Sequence, residues 1–354
     1  MSEPLFDEHD ALPEGFLSAS PEDLHRVLPR PAIIRLPGMR TPAVAVVLML
    51  HGNEPVGLQA VQQLLRHYAG RRLPRALTLV VGNVQAAAVG QRHLDRQPDF
   101  NRIWPGTEQP GSQESRMFEQ VIARLREDGL FAAIDLHNNT GRNPHYACVN
   151  FLDDGFLNLA GLFGRTVVYF TRPRGVASMA LADIAPSVTL ECGHPNDAAG
   201  IRHALEFIDA VLHLSRFPDH PPDVRSIDVF HTVAQLRVRP GLHVGLDEDA
   251  DVVLEPDLDR MNFRILPAGT RLVRQTGQTS GSVIATDSEG RDVSADYLEQ
   301  EGPDVRLSRP MMPSMLTLDT RVIAQDCLCY LMEPLDLARN SSSAARMAHP
   351  ASAE

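Results

Sequence analysis

A histidine and a glutamate stand three positions apart at His51-Gly52-Asn53-Glu54. At that spacing both side chains can face one point, and both are good ligands for Zn2+. Taken alone, H-x-x-E is a common pattern, so its meaning rests on what converges with it. Two more residues are candidates. His137 follows the apolar run at 130–136, and Glu191 follows Val188-Thr189-Leu190. An ionisable residue set directly after an apolar run belongs at an edge, because burying it unpaired costs several kcal/mol. Two histidines and one glutamate form a common catalytic zinc set that leaves a fourth position for water. Zinc brings the pKa of that water towards ~7. A second glutamate, not itself a ligand, can then take the proton and pass it to a leaving group.

These residues meet only if strands deliver them to one edge. The run Val44-Ala45-Val46-Val47-Leu48-Met49-Leu50 reads as a buried parallel strand. A helical pattern follows over 55–68, with Pro55 suited to the first helical position. Further strands are expected at 76–81, 130–136, 146–150, 166–170 and 187–190, and helices at 112–128, 155–163 and 198–216. In open α/β sheets, sites form where strands end. Residues 84–112 lack periodicity and are expected to be a long loop. Such a loop in a compact unit is functional or disordered. This one carries Arg92, Arg96, Asp99, Asn101, Arg102 and the only tryptophan, Trp104, which favours function. Earlier in the chain, Ser20-Pro21-Glu22-Asp23 reads as a helix start with Ser20 as its cap.

The texture of the chain divides it. Residues 1–40 are a proline-rich, acidic preface, and 41–217 hold the alternating strands and helices of an α/β catalytic domain. Pro218 to Asp223 has the composition of a linker. Residues 224–335 show short alternating segments separated by Gly, Pro and Asp, the pattern of a smaller all-β domain spanning 218–336. Residues 337–354 are polar and small, and read as a disordered tail. A length of 354 residues suits two domains. The net charge of −12 argues against nucleic acid or an anionic membrane surface as partner. Four cysteines, none in C-x-x-C spacing, read as reduced thiols. The acidic N-terminus does not read as a signal peptide, and no apolar run is long enough to span a membrane, so a cytoplasmic location is expected.

Four motifs in order, His51-Gly52-Asn53-Glu54, Asp99-Phe100-Asn101-Arg102, Asp135-Leu136-His137-Asn138-Asn139-Thr140 and Leu190-Glu191, resemble those of the succinylglutamate desuccinylase/aspartoacylase family. That family belongs to the wider zinc carboxypeptidase-like group. The resemblance covers roughly residues 43–200. It implies a carboxypeptidase-like mixed sheet flanked by helices, then a small β domain. It implies one Zn2+ per subunit on His51, Glu54 and His137, with Glu191 as general base and acid. Asn101 and Arg102 would hold the substrate carboxylate, a role that suits a guanidinium fork. Asp99 would orient a zinc-bound histidine. Arg92, with Arg96 as competitor, would polarise the scissile carbonyl. The implied reaction is hydrolysis of a small N-acyl amino acid to a carboxylate and a free amine.

One departure concerns specificity. The family often has a Tyr or Arg shortly before the catalytic glutamate to grip an acyl carboxylate, but residues 175–190 contain no cation. Arg172 and Arg174, just upstream, are the nearest substitutes, and His194 and Asn196 are candidates for the pocket wall. Two competing functions use the same residues: a metallocarboxypeptidase acting on a peptide C-terminus, and a non-catalytic module that retains the zinc site. The β domain should narrow the pocket of a deacylase and leave the cleft of a peptidase open. The expected partner is a small molecule, with homo-oligomers left open.

Overall fold

The computed structural model describes residues 4–223, 225–276 and 281–337. In chain order the strands are β1 (Asp7–His9), β2 (Ala32–Leu36), β3 (Ala43–Leu48), β4 (Leu77–Val81), β5 (Leu130–His137), β6 (Tyr146–Val149), β7 (Thr166–Tyr169), β8 (Ser187–Glu191), β9 (Asp228–Val238), β10 (Val244–Gly245), β11 (Val252–Leu254), β12 (Arg271–Gln275), β13 (Val283–Thr286), β14 (Leu298–Glu301), β15 (Asp304–Leu307), β16 (Met312–Ser314) and β17 (Cys329–Pro334). The helices are α1 (Leu24–Val27), α2 (Val56–His67), α3 (Val84–Ala87), α4 (Gln113–Asp128), α5 (Asp154–Phe163), α6 (Ala177–Ala182), α7 (Ala198–His213), α8 (Ser294–Tyr297) and α9 (Thr320–Gln325).

β3 shows why the sheet needs helices on both faces. Successive side chains of a strand point to opposite faces. Val44, Val46 and Leu48 enter one hydrophobic core with Leu58, Val61 and Leu64 of α2. Ala45 and Val47 enter another with Met117, Phe118 and Val121 of α4. Burying each such large side chain stabilises the fold by roughly 1.5–3 kcal/mol. The helix ends follow from capping. Ser112 accepts a hydrogen bond from the Ser115 amide at the start of α4, and Gly129, with φ of 68°, ends that helix. Pro55 offers α2 no capping side chain, and the Val56 amide instead donates to Asn138 Oδ1 at 3.0 Å. This bond ties the start of α2 to the loop after β5.

Among the described residues, the main sheet has twelve strands in the order β1-β2-β4-β3-β5-β8-β6-β7-β9-β17-β16, with β13 also paired to β9. Its centre, β4-β3-β5-β8, is parallel, so these strands deliver their carboxyl ends to one edge. β2 runs antiparallel to β4 at one side, and β6 runs antiparallel to β8 at the other. β9, from beyond the proline-rich segment at 218–223, pairs in parallel with β7, so the sheet continues into the C-terminal part. There a second sheet, β10-β11-β12-β15-β14, shares with β9 and β17 of the main sheet a core around Leu236, Leu272, Leu307 and Leu331. No helix among the described residues is long and apolar enough to cross a membrane.

Several local expectations change. Residues 84–87 form a turn of helix capped by Asn83, where a loop was expected. Ser20 is not the cap of α1, which starts at Leu24. Its hydroxyl bonds the Asp23 carboxylate instead. The last helix of the α/β part stops at His213, short of 216. The tail at 338–354 lies outside the described residues.

Candidate active site

His51 and Glu54 sit in the loop between β3 and α2. The bend is set by Gly52: a Cβ there would stand 2.2 Å from the backbone of Ala86 and Ala87 in α3. Only glycine lets the loop press this close to another backbone. The turn aims both side chains at the end of β5. His51 Nδ1 lies 2.8 Å from Glu54 Oε1, and His137 Nδ1 lies 2.7 Å from Glu54 Oε2. Donor atoms of His51, Glu54 and His137 all lie within 4.8 Å of one another, and all three residues are buried. Burial pushes the Glu54 carboxyl up, but the charges of His51 and His137 outweigh it and hold Glu54 well below the usual carboxylate range.

Each imidazole is backed on its other nitrogen. Asp99 Oδ1 lies 3.0 Å from His51 Nε2. Asp135 Oδ1 lies 3.0 Å from His137 Nε2, and Asn101 Nδ2 lies 3.1 Å from the same atom. Burial presses the His137 pKa down, but the Asp135 and Glu54 carboxylates more than reverse it. Two imidazole nitrogens and a carboxylate turned to one point, with carboxylates behind the rings, suit a divalent ion such as zinc. The donor set therefore fits the metal that the sequence pattern implies.

Glu191 closes the same edge. It is the last residue of β8 and pairs in register with His137, the last of β5. Asn139 Nδ2 donates to Glu191 Oε2 at 3.4 Å. Burial, helped by the Glu54 charge and opposed by His137 and Asn139, pushes the Glu191 carboxyl up to about 7. A carboxyl near 7 can hold or release a proton at neutral pH.

The arginines of the 84–112 stretch also reach this edge. Arg92 donates to Asp99 Oδ2 at 2.9 and 3.1 Å and to Asp326 at 3.3 Å, and its Nη1 lies 3.5 Å from Glu54 Oε1. Arg102 donates to Asp326 Oδ1 at 2.6 Å and to the Asn101 carbonyl at 2.8 Å. Asn101 Oδ1 accepts from the Ala177 amide at the start of α6, which turns its NH2 towards His137. Burial alone would push the Asp326 carboxyl up, but Arg102 and Arg92 hold it down. Arg96 is exposed and lies outside the residues lining the pocket. His194 and Asn196 are likewise exposed and outside it.

Sequence reasoning missed Asp135, Asn138, Asn139 and Asp326 as working parts of the site. Asp135 carried a signal: two residues before His137 on one strand, it shares that residue's face. Asp326 carried none, since its partners Arg102 and Arg92 lie 224 and 234 positions away.

All of this opens into one pocket. His51, Glu54, His137, Glu191, Arg92 and Arg102 line it, and Thr232, Ser314, Met315, Asp326 and Tyr330 of the C-terminal part complete its wall. Residues 40–215 match the succinylglutamate desuccinylase/aspartoacylase catalytic domain. The chain belongs to the succinylglutamate desuccinylase/aspartoacylase family. A succinylglutamate desuccinylase of Burkholderia orbicola is 30% identical over a stretch covering 36% of this chain and 45% of that relative, less than half its length. Over most of the chain the likeness is one of fold. The succinylglutamate desuccinylase of Vibrio parahaemolyticus superposes with a TM-score of 0.58 at 10% identity, covering 86% of each chain. The succinylglutamate desuccinylase/aspartoacylase of Rhodobacter sphaeroides gives 0.57 at 15% identity, covering 86% of this chain and 89% of its own. Between this chain and these structures the fold is therefore shared while sequence has diverged widely.

Proposed function

We propose that this family member is a metal-dependent amidohydrolase that cleaves a small N-acyl amino acid, with zinc as the ion. The observation that carries the reading is the meeting of His51, Glu54 and His137 with Glu191 at one sheet edge, inside a pocket that Arg102 also lines. His51, Glu54 and His137 would hold the ion. When bound, it supplies Lewis acidity and acidifies water.

The chain's own residues supply the rest. Glu191, with its carboxyl near 7, takes a proton from the attacking water. As the new carbon–oxygen bond forms and the carbon–nitrogen bond breaks, Glu191 returns that proton to the departing amine. Arg92, beside Glu54, places positive charge where the carbonyl oxygen gains negative charge. Arg102 takes the substrate carboxylate. Asn101 stands with it and aligns His137 and the start of α6. Asp99 holds the ring of His51. Residues of the C-terminal part form one wall of the pocket, which supports a small substrate over a protein C-terminus.

The test is Glu191→Gln. Turnover of a panel of N-acyl amino acids by zinc-loaded protein should fall about 10²–10⁴-fold, the usual worth of a general acid–base, with metal content unchanged. Near-normal rates in the variant would reject the mechanism. Dipeptides of equal size form the control panel, and faster hydrolysis of these would move the assignment to a carboxypeptidase.

A further inference from the structure

The pocket has a second wall with a different chemistry. Tyr146 and Cys148 of β6, Val168 of β7, and Phe170, Val176 and Met315 line it. Tyr146, Cys148 and Val168 pack in one hydrophobic cluster with Met312 and Met332, against which Phe170 and Met315 also lie. The polar atoms here are already engaged or neutral. The Tyr146 hydroxyl donates to Met315 Sδ at 3.1 Å. The Thr189 hydroxyl lies 3.0 Å from the Ser178 hydroxyl and 3.3 Å from Asp135 Oδ2, which occupy its hydrogen-bonding capacity.

The cations that line the pocket already have carboxylate partners. Arg92 is paired with Asp99 and Asp326, and Arg102 with Asp326. Arg172 also lines the pocket, with its Nη1 2.7 Å from Glu108 and its Nε bonded to the Ser288 carbonyl. Arg174 is exposed and lines a neighbouring depression instead. Arg102 can serve one carboxylate. A second carboxylate against Val168, Phe170 and Val176 would lose its hydration among side chains that carry no charge.

We infer that this apolar arm takes an uncharged hydrocarbon group, so that the substrate is a monocarboxylate with an apolar substituent and not a dicarboxylic compound. The inference rests on the deacylase reading above. The hydrocarbon could come from the acyl group or from the amino-acid side chain, and the two are separable by experiment.

Two substrate series with zinc-loaded full-length protein decide it. One holds glycine constant and varies the acyl group through acetyl, hexanoyl, benzoyl and succinyl. The other holds acetyl constant and varies the amino acid through leucine, phenylalanine, aspartate and glutamate. In the series that fills the arm, apolar members should exceed acidic ones in kcat/KM on the order of a hundredfold, the penalty for an unpaired carboxylate. Succinylglycine or acetylaspartate cleaved as well as its apolar counterparts would overturn the inference. So would a Phe170→Arg variant that leaves the apolar-to-acidic ratio unchanged, since a cation at this wall should lower that ratio at least about tenfold. If no compound in either series is cleaved, the deacylase reading fails. Calorimetric binding of hexanoate and of succinate then tests the arm by itself: tighter hexanoate supports it, and equal or tighter succinate overturns it.

Discussion

Glu191 shows what the site costs the fold. An ordinary glutamate ionises at 4.5, and this one at about 7, chiefly because it is buried. Its folded pKa is raised, so the unfolded chain releases the proton first as pH rises. Stability tied to this group is therefore full below 4.5, falls between 4.5 and 7, and is flat above. The rise corresponds to about 3 kcal/mol. In metal-free protein, Glu191→Gln should match the parent near pH 4 and exceed it by up to about 3 kcal/mol at pH 8, read by urea unfolding across that range. A constant difference at all pH values would show that the carboxyl ionises normally. Asp135 makes a separate claim at this scale. Its carboxylate lies 3.0 Å from His137 Nε2, close enough to act on the ring through its charge. Asp135→Asn should weaken zinc binding about 10–100-fold in a chelator competition. Unchanged affinity would remove Asp135 from any part in holding that ring.

At the scale of elements, the site is three strand ends and one tight loop. β3, β5 and β8 were legible in the sequence because each is an apolar run cut off by an ionisable residue. His137 and Glu191 turn out to be the last strand residues, not the first loop ones. What sequence did not reveal lies below the length at which periodicity speaks. α6 is six residues of Ala-Ser-Met-Ala-Leu-Ala, and α3 is four. β2 sits directly after Pro29-Arg30-Pro31, and with Arg35 paired to Glu8 and Asp128 it hid in what looked like a proline-rich preface. α3 matters more than its length suggests, because the His51–Glu54 loop is moulded on it. Gly52→Ala puts a methyl into the Ala86–Ala87 backbone, which a flexible side chain cannot relieve. It should cost about 2–4 kcal/mol in denaturant unfolding and weaken metal binding with it. A variant within about 0.5 kcal/mol of the parent would show that the loop has room to shift.

On the scale of the whole molecule, the site draws on both the α/β part and the C-terminal part of the chain. The main sheet passes from the α/β elements into β9, β17 and β16, and the segment between α9 and β17 carries Asp326 back to the arginines of the 84–112 stretch. Two arginines and two aspartates, Arg92, Arg102, Asp99 and Asp326, form a largely buried, charge-balanced quartet. Removing one partner of a buried pair leaves an uncompensated charge, which costs about 3–5 kcal/mol. Asp326→Ala should lose stability of that order in urea unfolding. It should also free Arg102 from its fixed orientation. Because Arg102 is assigned to the substrate carboxylate and Glu191 to the proton, the kinetic effect should fall on one parameter. KM should rise about tenfold, near the worth of one charged hydrogen bond, while kcat stays within about twofold. A fall in kcat at unchanged KM would place Asp326 with the reacting groups through Arg92. Unchanged stability and kinetics would mean that the arginines keep their places without the C-terminal carboxylate.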